Sequence, residues 1–127
     1  MAGVFSVGHS NVPKEKLLER LLAYEIDRVV DVRSKPYSRF CPQYNRVALE
    51  KYLAANGIVY DFRGYNLGGL GDNVDYDETV QELSRLAENE NIALLCSEKD
   101  HLKCHRYTML TPDFEKLEMA VTHIAYD

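Results

Sequence analysis

The sequence predicts a single α/β domain with three layers, in which a mostly parallel sheet of about five strands is flanked by helices. The first observation is that short β-branched segments alternate with longer segments whose leucines recur at helical spacing, a pattern typical of strand–helix–strand units. The second is the length of 127 residues, which is enough for one hydrophobic core. We therefore expect residues 1–127 to form one domain, without an internal repeat or a linker.

Five short segments have the composition of buried strands, because they are rich in valine, isoleucine and aromatic residues. They are residues 4–7, 29–32, 58–62, 92–96 and 121–126. In a parallel sheet the loops that follow the strands all leave from the same edge, where ligands bind. The polar segments after these strands are therefore expected to lie together.

Three helices are predicted between the strands from the apolar spacing within residues 17–22, 49–53 and 80–87. Gly57 is expected to end the second helix in a left-handed conformation, and Asp75 with Glu78 resembles a capping pair for the third. A fourth helix is expected to begin near Cys104. It should be cut at Pro112, because proline removes a helical hydrogen-bond donor.

Composition excludes some classes of partner. The net charge of -5 argues against non-specific binding to DNA, to RNA or to an anionic membrane. We expect a cytoplasmic protein without a membrane partner, because the sequence shows neither a secretory signal nor an apolar run that could span a bilayer. Three cysteines, an odd number, fit reduced thiols in such a compartment. The oligomeric state is left open.

Arginines and hydroxyl groups in these loops predict a site for a small phosphorylated or nucleotide-like ligand. Arg33, Arg39 and Arg106 could clamp a phosphate or a carboxylate. Further binding groups are the side chains of Ser10 and Ser38 and the closely approaching backbone of Gly68 and Gly69. The alternative is that each arginine pairs with a carboxylate of this acidic protein. No Walker-type or dinucleotide-binding pattern accompanies them.

Three residues are candidates for catalysis. Glu98 directly follows a predicted strand and could act as acid, base or nucleophile, and Asp31 could be its partner in a pair with separated pKa values. His9 could assist proton transfer. In the alternative interpretation Asp31 anchors a loop by accepting backbone N–H groups, Glu98 neutralises an arginine, and His9 bonds a strand end.

The remaining polar residues have a secondary place in the prediction. Cys96, Cys104 and His105 carry atoms that bind transition metals, but they lack the paired-cysteine spacing of a metal motif. No cofactor is predicted, and a transition metal or a reactive Cys104 thiolate is the alternative. Tyr37 could stack on a nucleobase or simply pack against a helix. Cys41 carries no motif.

Several short motifs occur in order along the chain: VGHS at 7–10, VDVRS at 30–34 with Pro36 and Ser38-Arg39, GIVY at 57–60, LGG at 67–69, LLCSE at 94–98, CHR at 104–106 and HI at 123–124. Together they resemble the domain-of-unknown-function 488 family of bacteria and archaea. The resemblance implies a compact α/β domain with these loops on one side, and it implies no reaction, substrate or cofactor. Thr111-Pro112-Asp113 departs from the family's continuous helix, so we expect a shorter or displaced last helix.

The first functional hypothesis is an enzyme, a hydrolase or a glycosyl- or phosphoryl-transfer enzyme, that acts on a nucleotide-like or phosphorylated substrate. The second is a non-catalytic regulatory module that binds a nucleotide or another anion in the same cleft. A third is a small metal-dependent or thiol protein. The first two predict the same arginine-lined cleft, and only turnover separates them.

Overall fold

The predicted strands form one parallel sheet. In the computed structural model, which describes residues 3–68, 73–98 and 109–126, the strand order is β3-β2-β4-β1-β5 and every pairing is parallel. This confirms the predicted α/β class. The strands are β1 (Gly3–Gly8), β2 (Arg28–Asp31), β3 (Val59–Phe62), β4 (Asn91–Cys96) and β5 (Val121–His123).

Helices cover both faces of the sheet. The two helices that pack with one face are α1 (Lys14–Ala23) and α2 (Arg46–Ala55), the latter preceded by a 3-10 turn (Pro42–Tyr44). The other face is covered by α3 (Gly64–Leu67), α4 (Tyr76–Leu86) and α5 (Thr111–Glu115).

The central strand β4 explains the unbroken apolar run in its sequence. Leu94 belongs to the core beneath α4 and α5, whereas Leu95 belongs to the core beneath α1 and α2, and both side chains are fully buried. Successive side chains of a strand point to opposite faces, and a strand covered on both faces needs apolar residues at every position.

Some boundaries differ from the prediction. β5 ends at His123 rather than at Tyr126. The N–H of Ile124 makes one further backbone bond, to Ser6, and the chain then leaves the sheet. The Tyr126 hydroxyl donates to the carbonyl of Gly8. The segment directly before the predicted binding residue Gly68 forms the short helix α3. Gly57 has a φ of 77°, so its predicted left-handed conformation is confirmed.

Two expectations about helix ends were wrong. Pro112 does not cut a helix; it lies in the first turn of α5, which continues past it to Glu115. The Asp75 carboxylate makes no capping bond, and it is the Asp75 carbonyl that accepts the Thr79 hydroxyl at 2.7 Å. The predicted helix start near Cys104 lies outside the described residues.

The connections open a crevice at the carboxyl edge of the sheet. The chain leaves β1 and β2 towards the face of α1 and α2, whereas after β4 the next described helix, α5, lies on the opposite face. Neighbouring parallel strands whose loops diverge in this way leave space for a ligand between them.

Within the three described ranges, no helix combines the length and the apolar character that crossing a bilayer requires.

Candidate functional site

A cavity of about 280 Å³ lies at the carboxyl ends of β1, β2 and β4. Five of the predicted site residues line it: His9, Ser10, Arg33, Tyr37 and Ser38. Four residues outside the prediction complete the lining, namely Asn11, Lys35, Cys41 and Ser97. The structure therefore brings the loops after three strands together at one site.

The floor of this site is a buried ion pair at the end of β2. Asp31 is fully buried, and its two carboxylate oxygens accept Nε and Nη2 of Arg33 at 2.8 and 2.7 Å. Asp31 Oδ1 also accepts the backbone N–H of Arg33 at 3.1 Å, and Oδ2 accepts the Tyr60 hydroxyl at 2.5 Å. This is the loop-anchoring geometry that the alternative interpretation of Asp31 describes.

Arg33 is held from its other side as well. Its Nη1 donates to the carbonyl of Tyr44 at 2.7 Å and to Nε2 of His9 at 3.2 Å. Burial alone would lower the pKa of this guanidinium, but the hydrogen bonds and the charge of Asp31 raise its pKa above the ordinary value. Arg33 is thus permanently charged, largely neutralised by Asp31, and left with one N–H of Nη2 for a ligand.

His9 is a neutral, fixed side chain. Its Nδ1 donates to the carbonyl of Ser10 at 2.7 Å, its Nε2 accepts from Arg33, and its ring stacks on Tyr44 with 4.4 Å between centroids. Burial, helped by the charge of Arg33, lowers the pKa of His9 to about 4. Both ring nitrogens are therefore engaged at neutral pH, and His9 would have to lose the bond from Arg33 before it could act as a base.

The loop of residues 34–41 forms one wall and is tied down by its own hydrogen bonds. The Ser38 N–H donates to Asn45 Oδ1 at 2.7 Å, and the Ser38 hydroxyl accepts the backbone N–H groups of Phe40 and Cys41 at 3.0 and 3.3 Å. The Cys41 thiol donates to the carbonyl of Ser10 at 3.3 Å, which joins this wall to the turn after β1.

Five described residues of the prediction do not line the cavity: Asp31, Arg39, Gly68, Cys96 and Glu98. Arg39 is exposed in the same loop. Glu98 is exposed just beyond Ser97, and its carbonyl accepts the thiol of the buried Cys96 at 3.4 Å. Cys96 therefore behaves as a core residue that supports the end of β4.

Gly68 has a packing role. A Cβ atom added to Gly68 would lie 2.1 Å from Oγ of Ser34 and 2.5 Å from the carbonyl oxygen of Gly64. Only glycine fits this approach between α3 and the loop after β2.

The remaining predicted residues lie outside the described ranges: Gly69, Cys104, His105 and Arg106. Their assignments stay predictions. Among the described residues, no group of three His, Cys, Asp or Glu side chains is arranged to hold a metal ion.

Sequence reasoning missed Asn11, Lys35, Cys41 and Ser97 as lining residues. Lys35 could have been found, because it lies within the basic loop between Arg33 and Arg39. Ser97 adjoins the predicted strand end at Cys96. Cys41 gave no signal, because its place beside Ser10 depends on the turn that Ser38 stabilises.

A family model described as "Domain of unknown function DUF488" matches residues 14–75 and 70–110. No curated protein and no solved structure matches the chain.

Proposed function

Because this chain belongs to the DUF488 family of domains of unknown function, we propose its function from the cavity: it binds a small phosphorylated or nucleotide-like molecule and acts on it as a hydrolase or a group-transfer enzyme. The observation that carries the proposal is the chemistry of the lining. Arg33 and Lys35 contribute cations, Ser10, Ser38 and Ser97 contribute hydroxyls, and none of the described lining residues is acidic. In a protein with 20 acidic residues, that selection favours an anion.

Lys35 is the proposed phosphate-binding cation. The charge of Arg33 is largely neutralised by Asp31, whereas Lys35 makes no ion pair within the described part of the chain. Arg33 would add its remaining N–H, and Ser38 its hydroxyl hydrogen, since that hydroxyl accepts two backbone N–H groups and makes no donated bond to a described residue. One donor from the floor, Arg33, and two from the loop, Lys35 and Ser38, would thus bind the anion.

The size of the cavity limits the ligand. Ligand pockets typically have volumes of about 300 to 1,000 Å³, and this one, at about 280 Å³, lies at the lower end. A phosphate, a sugar phosphate or part of a mononucleotide fits that volume. Tyr37, which lines the cavity and is 67% exposed, has an aromatic ring on which a nucleobase can stack.

Glu98 is the proposed acid, base or nucleophile. It follows Ser97, a lining residue, at the carboxyl end of β4, and its side chain is exposed at the edge of the sheet that holds the cavity. Asp31 and His9 would hold Arg33 in position. Two further features support an active site: His9 and Arg33 have perturbed pKa values, and Ser10 has a φ of 44° beside the cavity.

One observation favours the non-catalytic module instead. The atoms of Asp31 and His9 that would accept a proton are occupied by Arg33, so two of the three predicted catalytic residues have a structural use. A binding site needs no free base. Turnover separates the two functions.

Binding is tested by thermal denaturation with phosphate, pyrophosphate and AMP. A ligand that binds only the folded protein raises its melting temperature. We expect at least one of these compounds to do so, and Lys35→Ala to abolish the shift while Lys51→Ala, an exposed lysine of α2, retains it. If none of the three compounds raises the melting temperature, the anion-binding proposal is wrong.

Catalysis is tested with the compound that binds. Glu98→Gln should abolish product formation, measured by phosphate release and by chromatography of the products, while the thermal shift is kept. Glu50→Gln, an exposed carboxylate on α2, is the matched control and should remain active. Full activity of Glu98→Gln would refute its assignment, and binding without turnover in the unmodified protein would support the regulatory module.

A further inference from the structure

The loop of residues 34–41 displays cations and aromatic rings to solvent in alternation. Lys35, Tyr37, Arg39 and Phe40 are all exposed, and the Phe40 side chain retains 87% of its accessible surface. Single exposed aliphatic residues are common on protein surfaces, but a phenylalanine this exposed beside an exposed tyrosine in one short loop is typical of a contact surface.

The charge around this loop is opposite to that of the whole protein. Residues 32–49 contain four of the 15 basic residues and none of the 20 acidic ones. Arg33 is neutralised by Asp31, and Arg46 lies over the Phe62 ring at 4.2 Å. Lys35 and Arg39 make no ion pair in the described part of the chain, so they form a local positive surface on an acidic protein.

The backbone of the loop is held by hydrogen bonds, although these side chains are exposed. Besides the bonds of Ser38 with Asn45, Phe40 and Cys41, the Arg46 N–H donates to the carbonyl of Pro36 at 3.0 Å, and Pro36 itself is buried. The loop therefore presents Tyr37 and Phe40 from a fixed backbone. A partner would bind them with little loss of backbone entropy.

We propose that this loop binds single-stranded nucleic acid, with bases stacked on Tyr37 and Phe40 and phosphates bound by Lys35 and Arg39. A single strand offers repeated anions together with exposed aromatic faces, which are the two features that the loop complements. A duplex hides its base faces, and an acidic peptide would engage only the cations. Tyr37 and Lys35 also line the cavity, so the bound strand would lead its end into it.

One part of the inference rests on the proposed function, namely that the cavity would take the terminal nucleotide or phosphate of the strand. The substrate class then becomes a nucleic-acid end rather than a free metabolite. The net charge of -5 is compatible with this, because it opposes broad binding of long duplexes but leaves one short basic loop free to hold a few nucleotides.

The test is fluorescence anisotropy with labelled oligo-dT and oligo-U of about 12 nucleotides, within the range of single-strand site sizes. Phe40→Ser should weaken binding at least about fivefold, the lower bound for the loss of one stacked base. Arg39→Gln should weaken binding and reduce the slope of log affinity against log salt by about 0.7. A duplex of the same length should bind more weakly than the single strand.

Two control variants test whether any loss of affinity is specific to the loop. Leu22→Ser removes another exposed apolar side chain, which lies near the end of α1, away from the carboxyl edge of the sheet. Lys51→Gln removes an exposed cation outside residues 32–49. Both should leave the affinity within about twofold of the unmodified protein, since surface changes away from a binding site have small effects. Unchanged melting temperatures verify that every variant is folded.

Several outcomes would overturn the inference: no binding of either oligonucleotide, equal losses in the loop variants and the controls, or equal competition by a poly-glutamate peptide. If AMP stabilises the protein but the oligonucleotides do not bind, the loop inference is wrong and the cavity proposal stands. If the oligonucleotides bind through Phe40 while no small phosphate compound stabilises the protein, the loop inference stands and the cavity proposal is wrong.

Discussion

The buried floor of the cavity and the exposed loop above it use the same residue types in opposite ways. Arg33 donates hydrogen bonds to Asp31, to His9 and to the carbonyl of Tyr44. Arg39, in the loop that follows, is exposed and makes no ion pair among the described residues. Tyr44 is buried and Tyr37 is not. The difference follows from the position of the carboxylates: Asp31 lies two residues before Arg33, and no other acidic residue occurs until Glu50. We expect the floor to govern stability and the loop to govern binding.

The largest effect is expected for Asp31→Asn, which leaves the buried Arg33 charge without its partner. Breaking a buried ion pair from one side costs about 3 to 5 kcal/mol of unfolding free energy. Urea denaturation measures it. Glu82→Gln, which removes a partly exposed partner of Arg63, is the control and should cost less than about 1 kcal/mol. Equal losses in the two variants would show that the floor has no special role in stability.

The next effect is expected for Gly64→Ala, at the start of α3. An added Cβ would lie 2.2 Å from the carbonyl oxygen of Arg33 and 2.4 Å from the Phe62 ring. Because backbone must move to relieve the first contact, we expect a loss of about 3 kcal/mol, the upper part of the range for overpacking. Gly3→Ala, whose Cβ would meet only a ring atom at 3.9 Å, should be close to neutral by the same denaturation assay.

A pH dependence of about 3 kcal/mol is expected from His9, since a difference of one pKa unit is worth about 1.4 kcal/mol. Its pKa is about 4 in the folded protein and near 6.5 when unfolded, so between these values the unfolded state binds more protons. This contribution to stability is present above about pH 6.5 and is lost as the pH falls towards 4. His9→Gln should show a smaller fall in unfolding free energy across this window, and NMR titration of the imidazole measures its pKa directly. A His9 pKa near 6.5 in the folded protein would contradict the neutral, fixed state.

The smallest effect on stability is expected for Phe40→Ser. The ring is 87% exposed, and exposed substitutions usually change the unfolding free energy by less than about 0.5 kcal/mol. Thermal denaturation measures this, and the same variant is the one expected to weaken oligonucleotide binding. A large loss of unfolding free energy would show that Phe40 supports the fold, and it would contradict the distinction between a stabilising floor and a binding loop.

The strands and the edge that holds the site were predictable from sequence because they depend on local pattern. The alternation of β-branched segments and leucine spacing is set by burial on one or two faces, and it placed His9, Arg33 and Ser38 at a common edge. The resemblance to the family of unknown function was likewise confirmed by the match to residues 14–110.

What each side chain does at that edge was not predictable, because it depends on three-dimensional neighbours. Asp31 could have been a free base or an anchor, and only the fold of the turn brings its oxygens onto Arg33. Cys41 reaches Ser10 across separate loops. Pro112 was misread because the same residue that breaks a helix interior is favoured in a first turn.

The strand order has a consequence for how the chain folds during synthesis. β1 pairs only with β4 and β5, so within the described sheet it has no neighbour until residues 91–96 have been made, and β2 can pair only with β3 before then. Such non-local pairing slows folding, since a long loop must close before contacts form. The fourth strand also brings the wall at Ser97 to the floor at Arg33. In a nascent chain the lining of the cavity is therefore completed only when the central strand β4 joins β1 to β2.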